Sequence, residues 1–184
     1  MRHRASPGYT LIELLMVVAI LSIVALVALP VAQRLTESGA DVALDKVAQA
    51  LRFARDDARH SAEPRLVSCE PGSGTLTVRA VDTDKDNSAP SDRKVVRLGS
   101  TLPYEIALDA APAGSAMTLV SCSFTFIDNT TAARVVFDPA GNPVRGIGNG
   151  PVRDTALRAG SIVLGAGHVR RTINLAVTGR ITLS

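Results

Sequence analysis

The sequence predicts an α+β chain: one long N-terminal helix followed by a mostly antiparallel β-sheet. Three observations predict it. Leu14–Leu29 is an apolar run of sixteen residues in which Ser22 alone is polar. Apolar residues then recur at helical spacing as far as residue 62, and after Pro64 the period drops to two. Short alternating segments separated by Pro and Gly signals read as strands, and helix first with strands afterwards reads as α+β. At 184 residues and 46% apolar, the chain is one domain of ordinary size with a core, not a disordered polymer. With 3% aromatic residues and no Trp, it is a poor stacking platform for single-stranded nucleic acid.

The first element is residues 9–32, Tyr9 to Ala32, interrupted only by Glu13 and Pro30. About 20 residues of helix cross a bilayer core, so this stretch is long enough. The basic patch Arg2-His3-Arg4 ahead of it predicts a cytoplasmic N-terminus and an exported remainder. A secretory signal peptide has a shorter apolar region and a small-residue cleavage site, and no such site precedes Gln33. A plain anchor leaves Glu13 unexplained. A carboxylate costs about 2.5 kcal/mol or more at the centre of a spanning helix, and it marks a function with a partner charge. Pro30 lacks an N–H and crowds the preceding turn; it predicts either a kink or a plain exit from the membrane helix.

Residues 33–63 continue the helix as an amphipathic one. Leu44, Val47, Leu51, Ala54 and Ala58 form an apolar stripe, while Asp41, Asp45, Lys46, Gln49, Arg52, Arg55, Asp56 and Arg59 form a charged face expected to be solvated. Gly39 weakens the helix by about 1 kcal/mol and marks a candidate bend. Pro64 ends it.

Residues 64–184 form the β-rich body. Strands are expected at Leu66–Cys69, Thr75–Ala80, Val95–Leu98, Tyr104–Leu108, Met117–Ile127, Ala133–Phe137, Ser161–Leu164, Thr172–Val177 and Ile181–Leu183. Pro71-Gly72, Asp138-Pro139-Ala140-Gly141 and Gly146–Gly150 are the turn signals.

Two stretches carry a family resemblance. Pro7-Gly8-Tyr9-Thr10-Leu11-Ile12-Glu13-Leu14-Leu15 resembles the cleavage and methylation motif of type IV prepilins and type II secretion pseudopilins. Phe137-Asp138-Pro139-Ala140-Gly141, then Arg171 through Ile181, resembles the C-terminal half of the GspH/FimT minor pseudopilins. The resemblance implies a pilin-like fold, with residues 1–8 a leader removed by a prepilin peptidase after Gly8. Tyr9, where the family more often has Phe, becomes the N-methylated new N-terminus. It further implies that Glu13 pairs with the Tyr9 amine of a neighbouring subunit and sets register, and that Pro30 is the family's helix-breaking proline. The expected role is assembly into a type II secretion pseudopilus or type IV pilus, in the tip or priming complex. The partners are the prepilin peptidase, other pilin subunits and the inner membrane. The implied location is a single inner-membrane pass with the globular domain in the periplasm, then the filament.

The body offers four further constellations. Residues 144–184 carry six arginines (145, 153, 158, 170, 171 and 180) against Asp154 alone. Some members of the resembled subgroup bind DNA through a C-terminal Gly-Arg-x-Arg element; here Gly179-Arg180-Ile181-Thr182 keeps only the first Arg. Arg170, Arg171 and Arg180 therefore make DNA binding in natural transformation the alternative function, and a charge-protected sheet edge the plain one. Cys69 and Cys122 either form one bridge, worth about 3–4 kcal/mol for the loop it closes, or lie as two buried thiols. Asp82-Thr83-Asp84-Lys85-Asp86-Asn87 spaces its oxygens like a calcium loop, yet it lacks the sixth-position Gly and has Arg93 in place of the closing Glu, so a polar hairpin turn accounts for it. His3, His60 and His168 are dispersed, and no metal, cofactor or catalytic set is expected.

Overall fold

The computed structural model describes residues 10–82, 95–96, 101–108, 117–147 and 155–184, the side chains of 25–38 apart. The leader with Gly8 and Tyr9, most of the Asp82–Asn87 stretch, Arg93, Arg153 and Gly148–Gly150 lie outside the described residues. The chain divides into two compact units, Met1–Leu35 and Thr36–Ser184.

Helix α1 (Leu11–Ser61) begins directly after Thr10, whose carbonyl accepts the N–H groups of Glu13 at 3.1 Å and Leu14 at 3.3 Å. Thr10-Leu11-Ile12-Glu13 has the Thr-x-x-Glu pattern of a capping box, and an acid in the first turn complements the helix dipole. In the first unit the described apolar side chains are exposed all round, from 51% at Val17 to 79% at Leu11. Such a helix buries its surface only in lipid or among other helices. These fourteen residues, 11–24, rise about 21 Å, short of the ~30 Å bilayer core. Accordingly, among the described residues no helix is long and apolar enough to cross a membrane. Pro30 falls inside the continuous helix, with its side chain outside the description.

In the second unit α1 buries Ala40, Ala43, Leu44, Val47, Ala50, Leu51, Ala54 and Ala58. The five stripe residues expected from the sequence are all among them. Five of the eight are alanines, and small side chains let strands lie close to the helix axis. The helix stops at Ala62, which takes φ 53° ahead of Pro64. Arg65, only 7% exposed, closes the corner: it pairs with Asp57 and donates to Glu63 Oε2 at 3.2 Å and Ser61 Oγ at 2.9 Å.

The body contains two five-stranded antiparallel sheets in place of the single sheet expected. The strands are β1 Arg65–Glu70, β2 Thr75–Ala80, β3 Tyr104–Ala107, β4 Thr118–Phe126, β5 Thr131–Ala132, β6 Arg134–Phe137, β7 Pro143–Val144, β8 Leu157–Ala166, β9 Val169–Ala176 and β10 Ile181–Leu183. The first sheet runs β3-β2-β1-β6-β7 and the second β10-β9-β8-β4-β5. The split arises between β4 and β6: the short β5 folds back on β4, with Thr131 opposite Thr125, whereas β6 pairs with β1, Val135 opposite Val67. Phe124, Phe126, Phe137, Met117 and Leu157 fill the space between these sheets and α1, all buried.

β8 is longer than its sequence signal because Gly160 does not break it. A Cβ there would come within 2.6 Å of the Phe124 ring, so the glycine makes room for an aromatic side chain on the neighbouring strand. Cys69 of β1 and Cys122 of β4 meet with sulfurs 2.12 Å and Cα atoms 6.2 Å apart, joining a strand of one sheet to a strand of the other.

Candidate functional site

Two places in the chain gather the residues singled out by the sequence. The first is the start of α1. Thr10 positions Glu13 in the opening turn of a helix whose other described side chains to Val24 are apolar except Ser22, and Ser22 turns its hydroxyl back to the Val18 carbonyl at 2.8 Å. That internal bond removes the only other polar group from the surface of this stretch. Glu13 is thus the single charged group among the described side chains of the first unit. Thr10 is the residue the sequence reading passed over, although the capping pattern is legible in it.

The second is a junction of two turns, one from each sheet, against the C-terminal half of α1. The β6–β7 turn, Asp138–Asn142, is held by the Asp138 carboxylate, which accepts from the Asn142 N–H at 2.7 Å and its side-chain amide at 3.0 Å. The β9–β10 turn closes with Gly179 N–H donating to the Ala176 carbonyl at 2.9 Å. Arg59 Nε donates to the Ala140 carbonyl at 2.8 Å, and Arg55 Nη1 donates to the Gly179 carbonyl at 2.9 Å. Gly141 and Gly179 adopt φ of 80° and 75°. A Cβ on Gly141 would fall 2.2 Å from Arg59 Nε, and one on Gly179 would sit 3.3 Å from the Gly141 carbonyl. Both glycines therefore serve the backbone angle and the close approach at once. The charged face of α1 is not simply solvated, as expected: it grips both sheets.

The C-terminal arginines are not brought together. Adjacent residues on a strand point to opposite faces, so Arg170 and Arg171 diverge. Arg171 is held by Asp41 of α1 at 3.0 Å. Arg180 stands across from Ala176, six residues along β9 from Arg170 and so about 20 Å away. Arg145 is paired with Asp128 at 2.7 Å, and Arg158 donates to Asn129 Oδ1 at 2.9 Å. Asp128 is held below the usual carboxylate range, chiefly by the Thr130 hydroxyl and N–H and less by the Arg145 guanidinium. Among the described residues no group of His, Cys, Asp or Glu converges as a metal site.

Residues 3–29 match the prokaryotic N-terminal methylation motif, and residues 43–179 match the family described as type II transport protein GspH. Among solved structures, the minor pseudopilin EpsH of the Vibrio cholerae type 2 secretion system is similar at 12% identity, over 79% of this chain and 95% of that one, with a TM-score of 0.47. The Pseudomonas aeruginosa type IV minor pilin FimU is similar at 13% identity, over 80% of this chain and 90% of that one, with a TM-score of 0.46. No curated protein sequence matches.

Proposed function

The chain belongs to the GspH family of type II transport proteins, and from that premise we propose that it enters the inner membrane as a precursor, is cut after Gly8, and is drawn into a filament as a minor subunit. It is a minor pseudopilin or pilin of a type II secretion or type IV pilus system, a structural subunit. Residues 9–32 cross the membrane with the N-terminus inside, and the body folds in the periplasm, where Cys69 and Cys122 are oxidised to one bridge. The prepilin peptidase removes residues 1–8 and methylates Tyr9. The apolar helix then leaves lipid for the helices of other subunits, and the body supports secretion or pilus biogenesis from the filament's tip or priming complex.

The observation that carries this reading is Glu13, an acid in the first turn of a helix segment that is otherwise apolar and exposed. In hydrocarbon an unpaired carboxylate is expensive, and a neighbour's liberated Tyr9 amine is the group that relieves it. The pairing acts in register: a subunit that slides by one turn leaves both charges without partners.

The test uses the full chain in its native cells. Mass spectrometry of the wild type is expected to find a chain beginning at methylated Tyr9. Glu13→Lys is expected to be cleaved yet lost from the filament, because a cation meets the partner amine, with co-sedimentation reduced at least about tenfold on the worth of a desolvated pair. An uncut chain, or undiminished assembly of Glu13→Lys, overturns the reading.

A further inference from the structure

We propose that Arg52, Arg55 and Arg59 of α1, together with Arg180 of the β9–β10 turn, form a receiving surface for an acidic segment of a neighbouring subunit. This rests on the filament reading above and names the chemistry of one contact in it. Spacings of three and four residues place the three helix arginines on one face. Two of them are fixed: Arg55 by the Gly179 carbonyl and Arg59 by the Ala140 carbonyl. Each fork is thereby oriented through part of its donor set, and its remaining N–H groups are left for a ligand. Arg180 follows Gly179 directly, so its backbone lies one Cα step from the carbonyl that anchors Arg55. Arg52 and Arg180 are exposed and make no ion pair among the described residues.

The charge count selects the ligand. These four arginines stand beside two carboxylates, Asp56, which is 3.3 Å from Arg55, and Asp138, which leaves two positive charges over the surface. A nucleic-acid duplex is held by roughly six to ten phosphate contacts. Among the described residues of the C-terminal segment, Arg171, Arg145 and Arg158 are engaged by Asp41, Asp128 and Asn129, and Arg170 lies about 20 Å along β9 from Arg180, so the surface does not gather that many. A short segment with two or three carboxylates matches the available charge, and planar guanidinium forks accept carboxylates in paired hydrogen bonds. Such a contact sets orientation and partner choice more than raw affinity. It also gives the two glycine turns a role beyond packing, because they hold the arginines that do the receiving.

A photo-crosslinking amino acid placed at Gln49 or Thr178 of the full chain, in cells that build the filament, tests this. The expected adduct joins another pilin-like subunit through a peptide bearing at least two Asp or Glu residues. Arg52→Glu with Arg180→Glu is expected to reduce that adduct about fivefold or more, while the paired Lys variants keep most of it. Reversing the partner's acids to Lys against the Glu variant is expected to restore it. An adduct through an acid-free peptide, one recovered on nucleic acid, or one indifferent to charge reversal overturns the proposal. If the chain is processed and co-sediments with the filament but gives no acidic adduct, this inference fails and the assembly reading stands. If it is neither cut nor incorporated, both fail.

Discussion

Asp128 shows how much one turn residue can organise. Its carboxylate accepts from the Thr130 hydroxyl at 2.6 Å, the Thr130 N–H at 3.0 Å and Arg145 at 2.7 Å, and Asn129 beside it, at φ 61°, takes the hydrogen bond from Arg158. All three of its donors favour the ionised form, so the folded carboxyl loses its proton at lower pH than the unfolded one. The stabilisation is therefore complete above about pH 4 and is lost as pH falls through the folded value. In an NMR titration of side-chain carboxyls, Asp128 is expected to titrate below the ordinary aspartate value, and Thr130→Val to move it upward. An unmoved midpoint refutes the hydroxyl as the main cause. The Asp-Asn pair is legible in the sequence as a turn, but its arginine partners, 17 and 29 residues away, are not. The same holds for Asp41 and Arg171, whose separation of 130 residues leaves no local trace.

At the scale of elements, local period decided most of what was legible. The α1 stripe and β2 follow directly from spacing, because each buries its apolar positions against a core that is continuous along it. The division into two sheets was hidden. It depends on whether β6 pairs with β1 or with β4, and two-residue strands such as β5 and β7 carry no periodicity at all. The expected strand at Ser161–Leu164 falls short of β8, which runs through Gly160, where the missing side chain makes room for Phe124. The β6–β7 turn gives a sharper trial. Gly141→Ala places a methyl group against Arg59 at a φ of 80° and is expected to destabilise the body by about 1–3 kcal/mol, measured by urea unfolding. A change under about 0.5 kcal/mol means that Arg59 simply swings away and does not hold the turn.

For the molecule as a whole, each of the two compact units carries its own logic. Among its described side chains the first has one charge and no core of its own; the second has a core of aliphatic and aromatic side chains. The candidate assembly residue Glu13 and the methylation motif were readable because membrane chemistry compresses its requirements into consecutive residues. The junction around Gly141 and Gly179 was not, since it is assembled from three distant parts of the chain. Joining the sheets at Cys69 and Cys122 restricts the unfolded body by a loop of 53 residues' separation, worth about 3–4 kcal/mol on chain entropy. Cys69→Ser with Cys122→Ser is expected to lower the midpoint of thermal unfolding by about 8–15 °C. An unchanged midpoint shows that the thiols contribute nothing by being linked.

The paired grip of Arg55 and Arg59 has a mechanical consequence. In the assembly proposed above, a subunit leaving the bilayer would be hauled by its helix, and traction on that rod would enter the body wherever the rod is fastened. Beyond the buried stripe, Arg55 and Arg59 would pass part of that traction to two turns, one in each layer of strands, so neither layer would bear it alone.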